Sequence, residues 1–217
     1  DVDRSRGLGD VYKRQYYLKE EGPKPWLGVE IQSNLGDWRF EERYPMTNTN
    51  EILWELGSSD LPAIDGSNVV LPDASSGPVY ETPPLEENLY FGGLPRLHVN
   101  VNTATVGGQL YALLEDCNEG VCIHIGHAIM DLRYHAGGSD VQTWNPLTDE
   151  ITALMEFFPM DVEVEAGHTI RLSLRSSGED YLPSAASSIS TIIDSGSTLQ
   201  LDTFDPSTRE YYQTVQC

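Results

Sequence analysis

The sequence predicts an all-β protein folded as a two-sheet sandwich, and three observations carry that prediction. Apolar residues alternate with polar ones over short runs, the period of half-buried strands. Turn-forming residues separate those runs, with 19 Gly and 13 Pro in the 217 residues. No stretch carries the apolar period of a long amphipathic helix, so the layers that bury a core must be sheets.

Along the chain, "DVDRSRGLGDVYKRQ" (1–15) fits nothing that follows and resembles translated adapter read-through, so it is set aside from the fold. "QYYLKEE" (15–21) reads as the tail of a helix stopped by "GPKP". Short strand-like runs follow, "WLGVEIQ", "NEILWEL" and "VVLP", each closed by turn residues such as "SNLGDW", "GSSDLPAIDGSN" and "DASSGP".

After Gly93 at least six strands are expected. Leu97, Val99 and Val101 alternate with His98, Asn100 and Asn102. "QLYALLED" and "VCIHIGHAIMDLRYH" form a hairpin around "CNEG". In its second strand Val121, Ile123 and Ile125 share one parity, whereas Ala128, Met130, Leu132 and Tyr134 share the other. One extra residue at Gly126 produces that switch, which predicts a bulge there. "EITALMEFF", "MDVEVEAG", "HTIRLSLRS" and "STLQLDTF" supply the remaining strands.

The formal net charge is -21, from 34 acidic and 13 basic residues, and the only lysines are Lys13, Lys19 and Lys24. Nucleic acid and anionic membranes need clustered Lys and Arg, so both are excluded as partners. No apolar run reaches the roughly 18 residues that span a bilayer. Three cysteines make no disulfide framework. Cys117 and Cys122 either pair across the "NEGV" hairpin or stay free thiols, and Cys217 is the last residue given.

Four segments in fixed order, "GGLPRLHVNV", "GQLYALLEDCNEG", "IGHAIMDLRYH" and "FFPMDVEVEAGHTIRLSLRSS", resemble the C-terminal domain of the X-Pro dipeptidyl-peptidase and cocaine-esterase family of serine hydrolases. Upstream, "YYLKEEG" resembles the last helix of that family's α/β-hydrolase domain. "GVEIQSNLGDWRFEERYP" resembles the crossing between domains, with Trp38-Arg39 and Tyr44-Pro45 at the family's Trp-Arg and aromatic-Pro positions. The resemblance covers residues 16 to 204 and is weakest between 50 and 90.

It implies a jelly-roll β-sandwich of galactose-binding-like shape over 26–204, a hydrolase-domain tail at 16–25 and a C-terminal tail at 205–217. It also implies that the catalytic Ser, Asp and His all precede residue 16, so that the chain is a piece of a longer enzyme. Residues 1–217 contain no Gly-x-Ser-x-Gly, the strained turn that exposes a hydrolase nucleophile.

The remaining candidate sites read as structural. "IIDSGST" (192–198) resembles an aspartic-protease loop, but that chemistry needs a second carboxylate to share the proton. Only 19 residues follow Thr198, too few for the flap and Gly segment that a dimeric half-site would need. The segment is therefore expected to be a turn into the last strand, with Asp194 and Ser195 bonding local amides and Gly196 at positive φ.

His168 is expected to bond backbone and fix its turn. His124 and His127 flank the bulge and are the only histidines close to Cys117 and Cys122; metal binding there is an open alternative to the structural role expected, while His98 and His135 read as strand-face and loop residues. Glu115 with Asp116, and Asp161 with Glu163 and Glu165, imitate paired carboxylates but are expected on solvated faces, opposite the inward Val162 and Val164. "ENLYFGG" (87–93) resembles a cleavage tag with Gly92 where the tag needs Gln, and reads as native strand.

The sequence thus assigns no catalytic, cofactor-binding or metal-binding residue within this chain. The function expected is that of a non-catalytic β-sandwich packed against a serine hydrolase domain, with a peptide or ester substrate reached through that domain and with homo-oligomerisation open. The rival is a carbohydrate-binding module presenting Trp26, Trp38, Trp54 or Trp144. Compartment stays open between cytoplasm and export.

Overall fold

Residues 15–22, 28–64, 67–72, 77–178, 181 and 188–212 are described by a computed structural model of the chain. The strands in the first part are β1 (Val29–Gln32), β2 (Trp38–Glu41), β3 (Asn50–Glu55), β4 (Val69–Val70) and β5 (Val79–Glu81). Next come β6 (Leu89–Gly93), β7 (Arg96–Thr103), β8 (Gln109–Asn118) and β9 (Val121–Asp131). The last are β10 (Ile151–Glu156), β11 (Met160–Val164), β12 (Thr169–Arg175), β13 (Ser190–Thr203) and β14 (Glu210–Tyr212).

Helix among the described residues is one turn at 15–19 and two 3₁₀ turns, Leu132–Tyr134 and Pro206–Thr208, so none is long and apolar enough to cross a membrane. The expected read-through segment lies almost wholly outside the described residues, as do Trp26 and Cys217.

All pairings are antiparallel. One large sheet runs β10-β7-β13-β6-β11, with β3 and β4 also paired to β13. The facing sheet runs β5-β12-β8-β9. Alternation fills the gap between them. Leu97, Val99, Val101, Ala153, Leu199 and Leu201 come from the first sheet, and Leu110, Ala112, Leu114, Ile170, Leu172 and Leu174 from the second. Each fully buried Leu, Ile or Val among them contributes about 1.5–3 kcal/mol, so the two inner faces together hold the fold. The chain is an all-β jelly-roll sandwich.

A third sheet, β1-β2-β14, covers part of the first. Residues 205–212, read from the sequence as the start of a tail, build the second 3₁₀ turn and β14, which pairs β2. Asn34, in the turn between β1 and β2, plugs the edge strand β11. Its N–H donates to Asp161 O at 3.0 Å, its side-chain amide donates to Glu163 O at 3.0 Å, and its Oδ1 accepts the Glu163 N–H at 2.8 Å. An edge strand is thereby closed by a side chain that imitates a neighbouring backbone.

The bulge falls where parity predicts it. Leu114 faces Gly126 but Glu115 faces His124, which leaves Ile125 as the extra residue. "ENLYFGG" ends in β6, fully paired to β11. A Cβ on Gly92 would lie 2.5 Å from Met46 Cε and 2.7 Å from Asp161 Oδ1, so a side chain there would displace the buried Met46 and the Asp161 carboxylate that Arg39 holds.

Candidate functional site

Where the third sheet meets the sandwich lies a buried charge network. Arg39 on β2 is 1% exposed and places both terminal nitrogens on the Asp161 carboxylate of β11. Its Nε donates to Glu41 Oε1 at 2.8 Å, and Glu41 Oε2 accepts from Arg209 Nη1 at 3.0 Å. The Arg39 guanidinium lies 4.4 Å from the Phe204 ring centroid. Burial works to lower the Arg39 pKa, but the bonds to Asp161 and Glu41 outweigh it and hold the guanidinium above its ordinary value.

Asp161 corrects the sequence reading, which placed it on a solvated face with Glu163 and Glu165. Val162 and Val164 do point inward, and Glu165 is exposed. The outer face at Asp161, however, is covered by β2. Glu163 is half-buried and accepts from Tyr90 Oη at 2.8 Å and Asn88 Nδ2 at 3.0 Å.

"IIDSGST" is not a turn but a bulge inside the continuous strand β13. Ile193 pairs with Asn100 and Thr198 with His98, so four residues of β13 stand against one of β7. Gly196 takes the expected positive φ, +74°. Ser197, fully buried, accepts the Asn100 N–H at 2.8 Å and donates to Ile193 O at 2.5 Å. Among the described residues Asp194 bonds no local amide. Its Oδ1 accepts from Tyr80 Oη at 2.6 Å, linking the two sheets, and burial together with this carboxylate pushes the Tyr80 phenol far above its ordinary pKa.

His168 also departs from expectation. Its Nδ1 lies 2.8 Å from Asp116 Oδ1, and both side chains are mostly buried, so a carboxylate rather than backbone orients the ring. The turn itself is closed by main chain, His168 N–H to Glu165 O at 3.1 Å, which leaves the imidazole available to Asp116. His98 sits on β7, and His135 follows the first 3₁₀ turn with Nδ1 3.1 Å from Leu132 O.

His124 and His127 are brought together: Nε2 of the first lies 3.2 Å from Nδ1 of the second. Among the described residues no three His, Cys, Asp or Glu side chains converge as a metal site.

The described tryptophans are tied down rather than presented. Trp54 and Trp144 pack on the core, Trp144 Nε1 donates to Thr103 Oγ1 at 2.9 Å, and Trp38 is half-buried.

Exposed apolar groups cluster elsewhere. At the tip of the β8–β9 hairpin, closed by a Cys117–Cys122 disulfide, Val121 and Ile123 are 67% and 66% exposed. Phe158, whose N–H bonds His127 O, is 54% exposed. A cleft of about 350 Å³ lies between β1 and the start of β11, lined by Val29, Ile31, Tyr44, Pro159 and Met160.

What converges among the described residues is therefore buried ion pairs and packing, and the fold defines a β-sandwich module. The chain belongs to the family of X-Pro dipeptidyl-peptidase C-terminal non-catalytic domains, which it matches over residues 16–211. Its fold is similar to that of a CocE/NonD family hydrolase from Staphylococcus aureus, at 14% identity and a TM-score of 0.65, over 93% of this chain and 46% of that one. It is likewise similar to an aminopeptidase from a marine sediment archaeon, Thaumarchaeota archaeon, at 13% identity and a TM-score of 0.65, over 88% and 43% of the two chains. The chain spans less than half the length of each. No curated protein matches the sequence significantly.

Proposed function

We propose that this β-sandwich packs against an α/β-hydrolase domain bearing a Ser–His–Asp triad and borders its active-site cleft. The whole enzyme would transfer an acyl group from an ester or amide to water through a serine acyl-enzyme, with X-Pro dipeptides or small esters as substrates. The observation that carries the reading is the hairpin tip. Val121 and Ile123 stand 67% and 66% exposed side by side on a disulfide-closed end, an apolar pair suited to being covered by a neighbouring domain. Support comes also from the absence of Gly-x-Ser-x-Gly in the 217 residues and from relatives more than twice as long.

The test is hydrolysis by the purified 217-residue chain. No turnover of an X-Pro nitroanilide or a nitrophenyl ester is expected. Turnover abolished by a serine-directed reagent would overturn the reading.

A further inference from the structure

On a regular strand, residues three apart point to opposite faces. His124 and His127 on β9 do not, because the extra residue Ile125 lies between them. His124 pairs with Glu115 and His127 with Leu113, and those two partners, two apart on β8, share a face of the sheet. The bulge therefore sets two imidazoles side by side, with ring centroids 5.3 Å apart and planes inclined by 24°.

We propose that His124 Nε2 and His127 Nδ1 form a bidentate site for a borderline divalent ion of the Ni²⁺, Cu²⁺ or Zn²⁺ class. The spacing fits such an ion. Two nitrogens held at about 2.0–2.1 Å from one metal lie about 3.3 Å apart at the tetrahedral angle and about 2.9 Å apart at a right angle. The observed separation is 3.2 Å.

A second observation concerns the other face of the ring. His127 Nε2 lies 3.1 Å from Tyr181 Oη, the oxygen partner that a metal-ligating imidazole needs on its second nitrogen to fix its tautomer and orientation. Tyr111 stacks on the same ring at 5.5 Å and Phe158 meets it edge-on at 5.1 Å, so His127 is held while His124 is exposed. Glu115, across from His124 on the same face, and the net charge of -21 both favour a cation. Imidazole pairs suit this class of ion and not Ca²⁺ or Mg²⁺. Water would complete the coordination.

The experiment is calorimetric titration of the tag-free 217-residue chain with Ni²⁺, Cu²⁺ and Zn²⁺ chlorides, alongside His124→Asn. One ion per chain is expected, with affinity reduced at least roughly tenfold in the variant, whose exposed position leaves folding intact. Electron paramagnetic resonance of the Cu²⁺ form should show splitting from two nitrogens in the parent and at most one in the variant. Absence of saturable binding for all three ions, or equal affinity and spectra for parent and variant, would overturn the proposal.

Discussion

The guanidinium of Arg39 grips the carboxylate of Asp161 with both terminal nitrogens, across 122 residues of chain and with both side chains buried. Removal of either partner alone leaves a desolvated charge, which costs about 3–5 kcal/mol. Asp161→Asn or Arg39→Met should each lower stability by that amount in urea unfolding. The joint change Arg39→Met with Asp161→Leu should recover most of it, because the desolvation disappears together with the attraction. Single variants within about 0.5 kcal/mol of the parent would show that the third sheet is held by something else.

Ser197 is the hydrogen-bonding centre of the β13 bulge. Ser197→Ala strips a partner from the Asn100 N–H and should destabilise the domain by about 1–3 kcal/mol. Gly196→Ala, forced to a φ of +74°, should cost about 1 kcal/mol. Chemical denaturation reads both.

Reduction of the Cys117–Cys122 bond frees a hairpin whose cysteines are five apart in sequence. Closing so short a loop stabilises by about 2 kcal/mol on the chain-entropy account. Dithiothreitol should lower the unfolding free energy by that amount and quicken amide exchange at 118–124.

Asp131 is held below the ordinary carboxylate pKa by the Arg133 side chain and then by the Arg133 amide. A group depressed on folding adds stability above its unfolded pKa, near 3.9, and loses that contribution as pH falls through the lower folded value. A carbon-detected NMR titration should place the Asp131 midpoint below those of freely solvated aspartates. Arg133→Gln should bring it back up.

Val121→Ser with Ile123→Ser should leave the isolated chain within about 0.5 kcal/mol of the parent, since both side chains are exposed. Binding to the hydrolase domain should fall sharply, as read by surface plasmon resonance. Unchanged binding would move the interface away from the hairpin tip.

Local pattern made several of these features readable. The parity switch at Gly126 located the bulge, and alternation in Leu97–Val101 and in Val162 and Val164 gave the core faces. Cys117 and Cys122 bracketed a loop short enough to close. Other features were hidden for one reason: alternation says which face a residue takes, not what covers that face. Asp161 and Glu163 share a parity, yet only Asp161 is capped by Arg39 from a sheet whose last strand begins at Glu210.

Asp194 and His168 were likewise opaque, because their partners Tyr80 and Asp116 are 114 and 52 residues away in sequence. The alternation of apolar residues pointed by itself to layered strands around a core, because each short run must bury one face and no long amphipathic helix is there to cover it. Only the tertiary structure decided which charged residues went inside and which histidines met, since those pairings depend on long-range register and on layers stacked over a face.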